Sequence, residues 1–142
     1  MKNSSIHFFK ESVSFRLTKQ DELRKWIMQA AKKEKYSIDN LNYIFCSDKY
    51  LKKINKDYLN HNYYTDIITF DISSQKGRIE GDIFISIDRI QANAKQYKVS
   101  PVDELRRVMI HGLLHLVGYK DKSPKDQSEM RRMEDFWLSK FN

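Results

Sequence analysis

The feature that most constrains this chain is the change of period in its apolar residues. Short β-branched or aromatic runs alternate with stretches in which apolar residues recur every three or four positions. The first pattern buries a face of a strand and the second a stripe of a helix. Residues 6–10 and 13–17 predict an N-terminal strand or hairpin. Thr18 and Asp21 have the spacing of a capping box that opens a helix with Leu23, Trp26, Ile27 and Ala30 inward. Residues 41–46 predict a strand. Ser47 or Asp48 then caps a helix with Leu51, Ile54 and Tyr58 as its buried stripe. Residues 66–70 and 81–87 predict two more strands, separated by a turn near residues 75–77. Asp88 caps a helix through about Tyr97, and Ser100-Pro101 starts another that stops at Gly118. A last helix follows Ser123-Pro124, with Met130, Met133, Phe136, Trp137 and Phe141 along its apolar side.

The resulting order is β-α-β-α-β-β-α-α-α, which predicts an α/β fold: a single mixed sheet of about four strands with helices packed on it. No repeat, linker or low-complexity tract divides the 142 residues, so one domain over 1–142 is expected. No apolar run approaches the ~18 residues of a membrane span, and the polar start has no signal-peptide core, so a cytoplasmic protein is expected. The single cysteine, Cys46, excludes an intrachain disulfide and reads as a small core residue. A net charge of +7 favours phosphate-bearing partners. The lysines and arginines are scattered, however, and each cluster, such as Lys52, Lys53 and Lys56, reads as a solvated helix face.

Chemistry concentrates in Val108-Met-Ile-His-Gly-Leu-Leu-His-Leu-Val-Gly-Tyr-Lys-Asp121. His111 and His115 are four apart on a predicted helix, so their imidazoles share one face and can share one metal ion. Gly112 costs the helix roughly 1 kcal/mol relative to alanine, which points to a close approach to its backbone by something else. Gly118 ends the helix and lets the chain turn back, so that Asp121 can supply a third ligand. Two histidines and one carboxylate form the donor set of a catalytic zinc site. Zinc proteases place a glutamate directly after the first histidine as general base; here that residue is Gly112, which counts against peptide hydrolysis.

The run from His111 to Tyr119 resembles the signature of the YbeY family, H-G-x-L-H-L-x-G-Y-D-H, at every specified position through the tyrosine. Upstream, residues 54–58 and 65–70 are similar to that family's L-N-x-x-Y-R and T-D-V-L-S-F segments, and residues 81–83 to its G-D-I strand. Met130 and Glu134 match an M-x-x-x-E in the last helix, so the resemblance spans about residues 40–138. Two positions depart from the pattern. Asp121 stands at the family's third metal histidine, after Lys120 in place of aspartate. Leu59 and His61 stand where the family has arginine and lysine.

The resemblance implies a bacterial metal-dependent endoribonuclease, specific for single strands, that acts in rRNA maturation and ribosome quality control. It implies one bound zinc ion on His111, His115 and Asp121, no small-molecule cofactor, and rRNA and the small ribosomal subunit as partners. RNA is expected to enter a basic cleft between the metal helix and residues 54–70, with Asp66 and His61 as candidate general bases. The competing readings are an RNA-binding ribosome assembly factor with a purely structural metal, and a metal hydrolase acting on peptides or small molecules.

Overall fold

The structure, a computed structural model, describes residues 5–61 and 64–141. One sheet carries the strands β1 (Ile6–Glu11), β2 (Ser37–Cys46), β3 (Ile67–Asp71) and β4 (Arg78–Ser86) in the order β1-β2-β4-β3. β1, β2 and β4 run parallel, and β3 lies antiparallel at the edge beside β4. The helices are α1 (Gln20–Lys33), α2 (Asp48–Leu59), α3 (Ile87–Tyr97), α4 (Pro101–Leu116) and α5 (Pro124–Lys140). The mixed α/β architecture and the element order are those the apolar periods predict.

Successive strand residues face opposite sides of the sheet, and two buried clusters follow from that. Leu41, Tyr43, Phe45, Ile83 and Ile85 join α1, α4 and α5 in the larger one. Cys46 and Ile68, with Phe70 and Phe84 packed against them, meet Leu51 of α2 in the smaller one. Burial pushes the Cys46 thiol up to about 12, aided by the nearby Asp88 and Asp48 carboxylates, so it is an inert core residue. Helix α4 buries Leu105, Val108, Met109, Ile110, Leu113, Leu114 and Leu116, more than any other helix. A Cβ on Gly112 would lie 3.0 Å from the side chains of Ile67 and Ile83. The glycine therefore lets α4 lie close on β3 and β4, and this brings the histidines to the sheet edge.

Local details differ from the sequence reading in four places. Residues 13–17 form no hairpin with β1: Ser12 turns the chain with φ 58°, and β1 pairs instead with β2. Val13, Phe15 and Leu17 pack onto the core as an irregular segment. Thr18 caps nothing, because the residue before α1 is Lys19, in the left-handed region with no side-chain cap. In α2 the inner position after Leu51 is Asn55, 2% exposed, while Tyr58 points outward at 70%. Ser86, not Asp88, caps α3 by accepting from the Arg89 amide. Asp88 instead accepts from the Asp48 amide at the start of α2.

Candidate metal centre

Helix α4 presents His111 and His115 one turn apart, and its end delivers the third group. Gly118 has φ 107°, and no other atom lies within 4 Å of where its Cβ would be, so conformation rather than crowding requires glycine there. The Gly118 and Tyr119 amides donate back to the carbonyls of His115 and Leu114, a Schellman closure. The Tyr119 hydroxyl then donates to Glu34 over 3.0 Å, tying the turn to the end of α1. Burial, reinforced by the Glu34 contact, pushes that phenol up to about 12. Gln127 of α5 donates to the Asp121 carbonyl, and Ser123 and Asp126 form a reciprocal capping box just beyond. These ties hold the short loop that carries Asp121 across the face of α4.

The three expected groups come together. His115 Nε2 lies 3.1 Å from His111 Nε2 and 3.3 Å from Asp121 Oδ2, and His111 Nε2 lies 3.4 Å from the same oxygen. A tetrahedral ion with bonds of ~2.1 Å separates its ligand atoms by about 3.4 Å, so this donor set has the dimensions to hold a metal ion. Among the described residues it is the group of three or more such side chains whose ligand atoms converge in this way.

Behind His111 stands a chain of charges. Glu134 Oε2 lies 2.6 Å from His111 Nδ1, so Nδ1–H donates to the carboxylate and the Nε2 lone pair is left available to ligate. Glu134 is 5% exposed, on the apolar side of α5 beside Met130, Met133 and Trp137. Its other oxygen accepts from Arg107 at 2.8 Å, and Arg107 also donates to Asp135 at 2.7 Å. Burial opposes protonation of His111, but the hydrogen bond and charge of Glu134, with Asp121 and Asp66 beyond, outweigh it and raise its pKa. The sequence reading placed Glu134 in a family motif without seeing this role; the available signal was a carboxylate interrupting an apolar stripe.

The donors open onto a cavity of about 430 Å³, walled by α4 and by Thr65, Asp66, Ile67 and Thr69. The cleft lies where the sequence reading put it, but its lining is not basic. Arg107 and Arg131 face Asp66, Glu104, Asp121 and Glu134, two guanidinium groups against four carboxylates. Asp66 lines the wall and accepts from Asn93 at 3.3 Å. Glu104, 5% exposed, shares that wall; burial, and then the charge of Asp66, raise its pKa. The sequence offered Glu104 only as an acid in the first turn of a helix. His61 lies elsewhere, exposed just past the end of α2, where its amide donates to the Asn55 carbonyl, and it does not line the cavity. Leu59 is the last residue of α2 and 40% exposed.

A four-stranded α/β layer with two histidines and a carboxylate converging on one helix defines the class: a protein built like a metal-dependent hydrolase. The comparisons narrow it. The family model described as endoribonuclease YbeY matches residues 5–142. An endoribonuclease YbeY of Cytophaga hutchinsonii is 58% identical over 98% of this chain and 97% of its own length. Its counterpart in Christiangramia forsetii is 42% identical over 100% of this chain and 98% of its own. The solution structure of a Thermotoga maritima protein shares the fold, with a TM-score of 0.66 at 24% identity over 94% of this chain and 86% of that one. The chain belongs to the endoribonuclease YbeY family, a family of hydrolytic nucleases.

Proposed function

We propose that this chain is a single-strand-specific endoribonuclease of rRNA maturation and ribosome quality control. In this reading it works in the cytoplasm, as one domain over residues 1–142, on rRNA in the small ribosomal subunit. The observation that carries the proposal is the convergence of His111, His115 and Asp121 on the floor of a cavity. Three protein ligands are the number of a catalytic zinc site, whereas structural sites close with four, and this favours the enzyme over an assembly factor with a structural metal.

His111, His115 and Asp121 would hold the ion, zinc by donor chemistry. Bound there, it would act as a Lewis acid on a phosphate oxygen or on a water molecule. The rest falls to the chain's own side chains. Glu134, held by Arg107, fixes the tautomer and aim of His111. Arg131 lines the cavity and can pair with a non-bridging phosphate oxygen. Asp66, steadied by Asn93, is the cavity carboxylate best placed to accept a proton; His61, the other candidate expected from the sequence, stands outside the cavity.

The test is metal content of purified protein beside cleavage of structured RNA, for the natural chain and for His111→Ala/His115→Ala. Loss of both metal and cleavage in the double variant supports the proposal, and cleavage that persists without metal overturns it. Asp121→His tests the third ligand. A neutral imidazole in place of a carboxylate makes the centre more positive, and the pH profile of cleavage should move to lower pH. Equal metal content in the natural chain, Asp121→His and Asp121→Asn would show that Asp121 is not a ligand.

A further inference from the structure

The cavity cannot by itself account for affinity toward a polyanion. Its lining carries twice as many carboxylates as guanidinium groups, and a divalent ion would do no more than balance that excess. Phosphates flanking the reacting one must find their cations elsewhere on a chain whose net charge is +7.

Such cations lie along α2. Lys49, Lys52, Lys53 and Lys56 recur at three- and four-residue spacing and, with Tyr50, line one shallow groove on its outer face. Lys53 is paired with Asp57 at 2.9 Å. Lys49, Lys52 and Lys56 form no ion pair with a carboxylate among the described residues. Lys52 is also the link to an aromatic ring: its Nζ lies 4.5 Å from the centroid of Tyr64, and Arg89 approaches the same ring at 5.0 Å. Tyr64 nevertheless remains 47% exposed. A charged face with no aromatic would be a solvated helix surface. A row of cations leading to a steadied, accessible ring has the composition of a single-strand binding surface, where lysines meet phosphates and a ring stacks a base.

The position completes the case. Tyr64 is followed at once by Thr65, Asp66 and Ile67, all of which line the cavity. Consecutive Cα atoms are ~3.8 Å apart, so the backbone of Tyr64 adjoins the cavity wall. We infer that the outer face of α2 together with Tyr64 is a platform for single-stranded RNA that leads the strand into the cavity. This rests on the endoribonuclease reading of the cavity and assigns that reading's substrate contacts.

The test uses the full chain and a fluorescent oligouridylate with 2′-O-methyl groups, its integrity checked on a gel, with binding read by anisotropy across a range of salt. In Lys49→Gln/Lys52→Gln/Lys56→Gln, the slope of log affinity against log salt should shrink by about 2, since single strands release about 0.7 counterion per phosphate neutralised. The matching triple Lys→Arg variant keeps the charge and should bind like the natural chain. Tyr64→Ala should weaken binding about tenfold and Tyr64→Phe should restore it, because stacking needs the ring and not the hydroxyl. An unchanged slope in the glutamine variant, equal loss in the arginine variant, or binding to anionic phospholipid vesicles but not to the oligonucleotide would overturn the platform. If these residues govern binding but the natural chain cleaves no RNA, the nuclease reading fails and the platform stands. If the chain cleaves RNA and the variants bind unchanged, the platform fails and the nuclease reading stands.

Discussion

Two regions of the molecule carry charge in opposite ways. Around α4 the charged groups are tied to one another and, apart from the exposed Asp135, at least partly buried: Asp135, Arg107, Glu134 and His111 form one hydrogen-bonded series, with His111 leading on to His115 and Asp121. Along α2 Lys49, Lys53 and Lys56 are exposed and Lys52 lies half-buried over Tyr64; apart from Lys53, none has a carboxylate partner among the described residues. The difference teaches what each region is suited to. A fixed network sets tautomers and aims lone pairs, which a metal centre needs. Solvated cations adapt to a flexible polyanion and keep their full charge for it, at little cost to the fold.

The sharpest way to break this comparison is to remove Arg107. Its side chain is 23% exposed, and that of its partner Glu134 is 7% exposed. Arg107→Ala leaves a carboxylate buried against a histidine alone, and should cost about 3 kcal/mol, or a fall in Tm of roughly 10 °C. Lys56→Ala on α2 should stay within about 0.5 kcal/mol. Thermal melts of the two variants decide it; similar small effects would mean that the α4 network is no more structural than the α2 face.

Glu134→Gln sharpens the same contrast through pH. His111 must be deprotonated to ligate, and Glu134 raises its pKa, so protons compete with metal from above the ordinary histidine value of ~6.5 downward. Metal affinity should therefore begin to fall as pH drops to that raised value. With glutamine in place of the carboxylate, the pH at which affinity begins to fall should move lower. At high pH, where no proton competes, the variant should bind metal about 10–100-fold more weakly, because the imidazole is less well aimed and less basic. Affinities titrated at several pH values read both effects, and an onset of the fall that stays put would remove Glu134 from the site.

Gly112→Ala probes the packing beneath the centre and should have the smallest effect. Alanine favours the helix by ~1 kcal/mol, while crowding a filled core costs ~1–3 kcal/mol. With Ile67 and Ile83 both 3.0 Å from the new methyl group, a net destabilisation of about 1 kcal/mol is expected from denaturant unfolding. A more stable variant would show that the two isoleucines give way.

Much of this was legible in one dimension because the signals are local. Apolar periods of two and 3.6 reflect the geometry of a single strand or helix, so the element order and mixed α/β class could be read without knowing any partner. The four-residue spacing of His111 and His115 is a property of one helix, and Gly118 marks a turn that only a few residues determine. The errors were also local signals, ones that tertiary contacts overruled. Val13, Phe15 and Leu17 have a strand's pattern, yet β1 found its partner in β2 through the crossover of α1. Ser86 took the cap that Asp88 was expected to fill, leaving that carboxylate to hold the start of α2.

The sequence by itself therefore determined the elements, their order and the pair of histidines, because each depends on residues within a turn or two of one another. The tertiary structure alone decided that Glu134, 23 residues beyond His111, orients it. It decided too that Asp66 and Glu104 share a wall, that His61 stands away from it, and that the cavity is rich in carboxylates although the chain is basic. Those outcomes turn on how α4, α5 and the edge of β3 pack together, and side chains far apart in sequence acquire a shared environment only when packing brings their elements together.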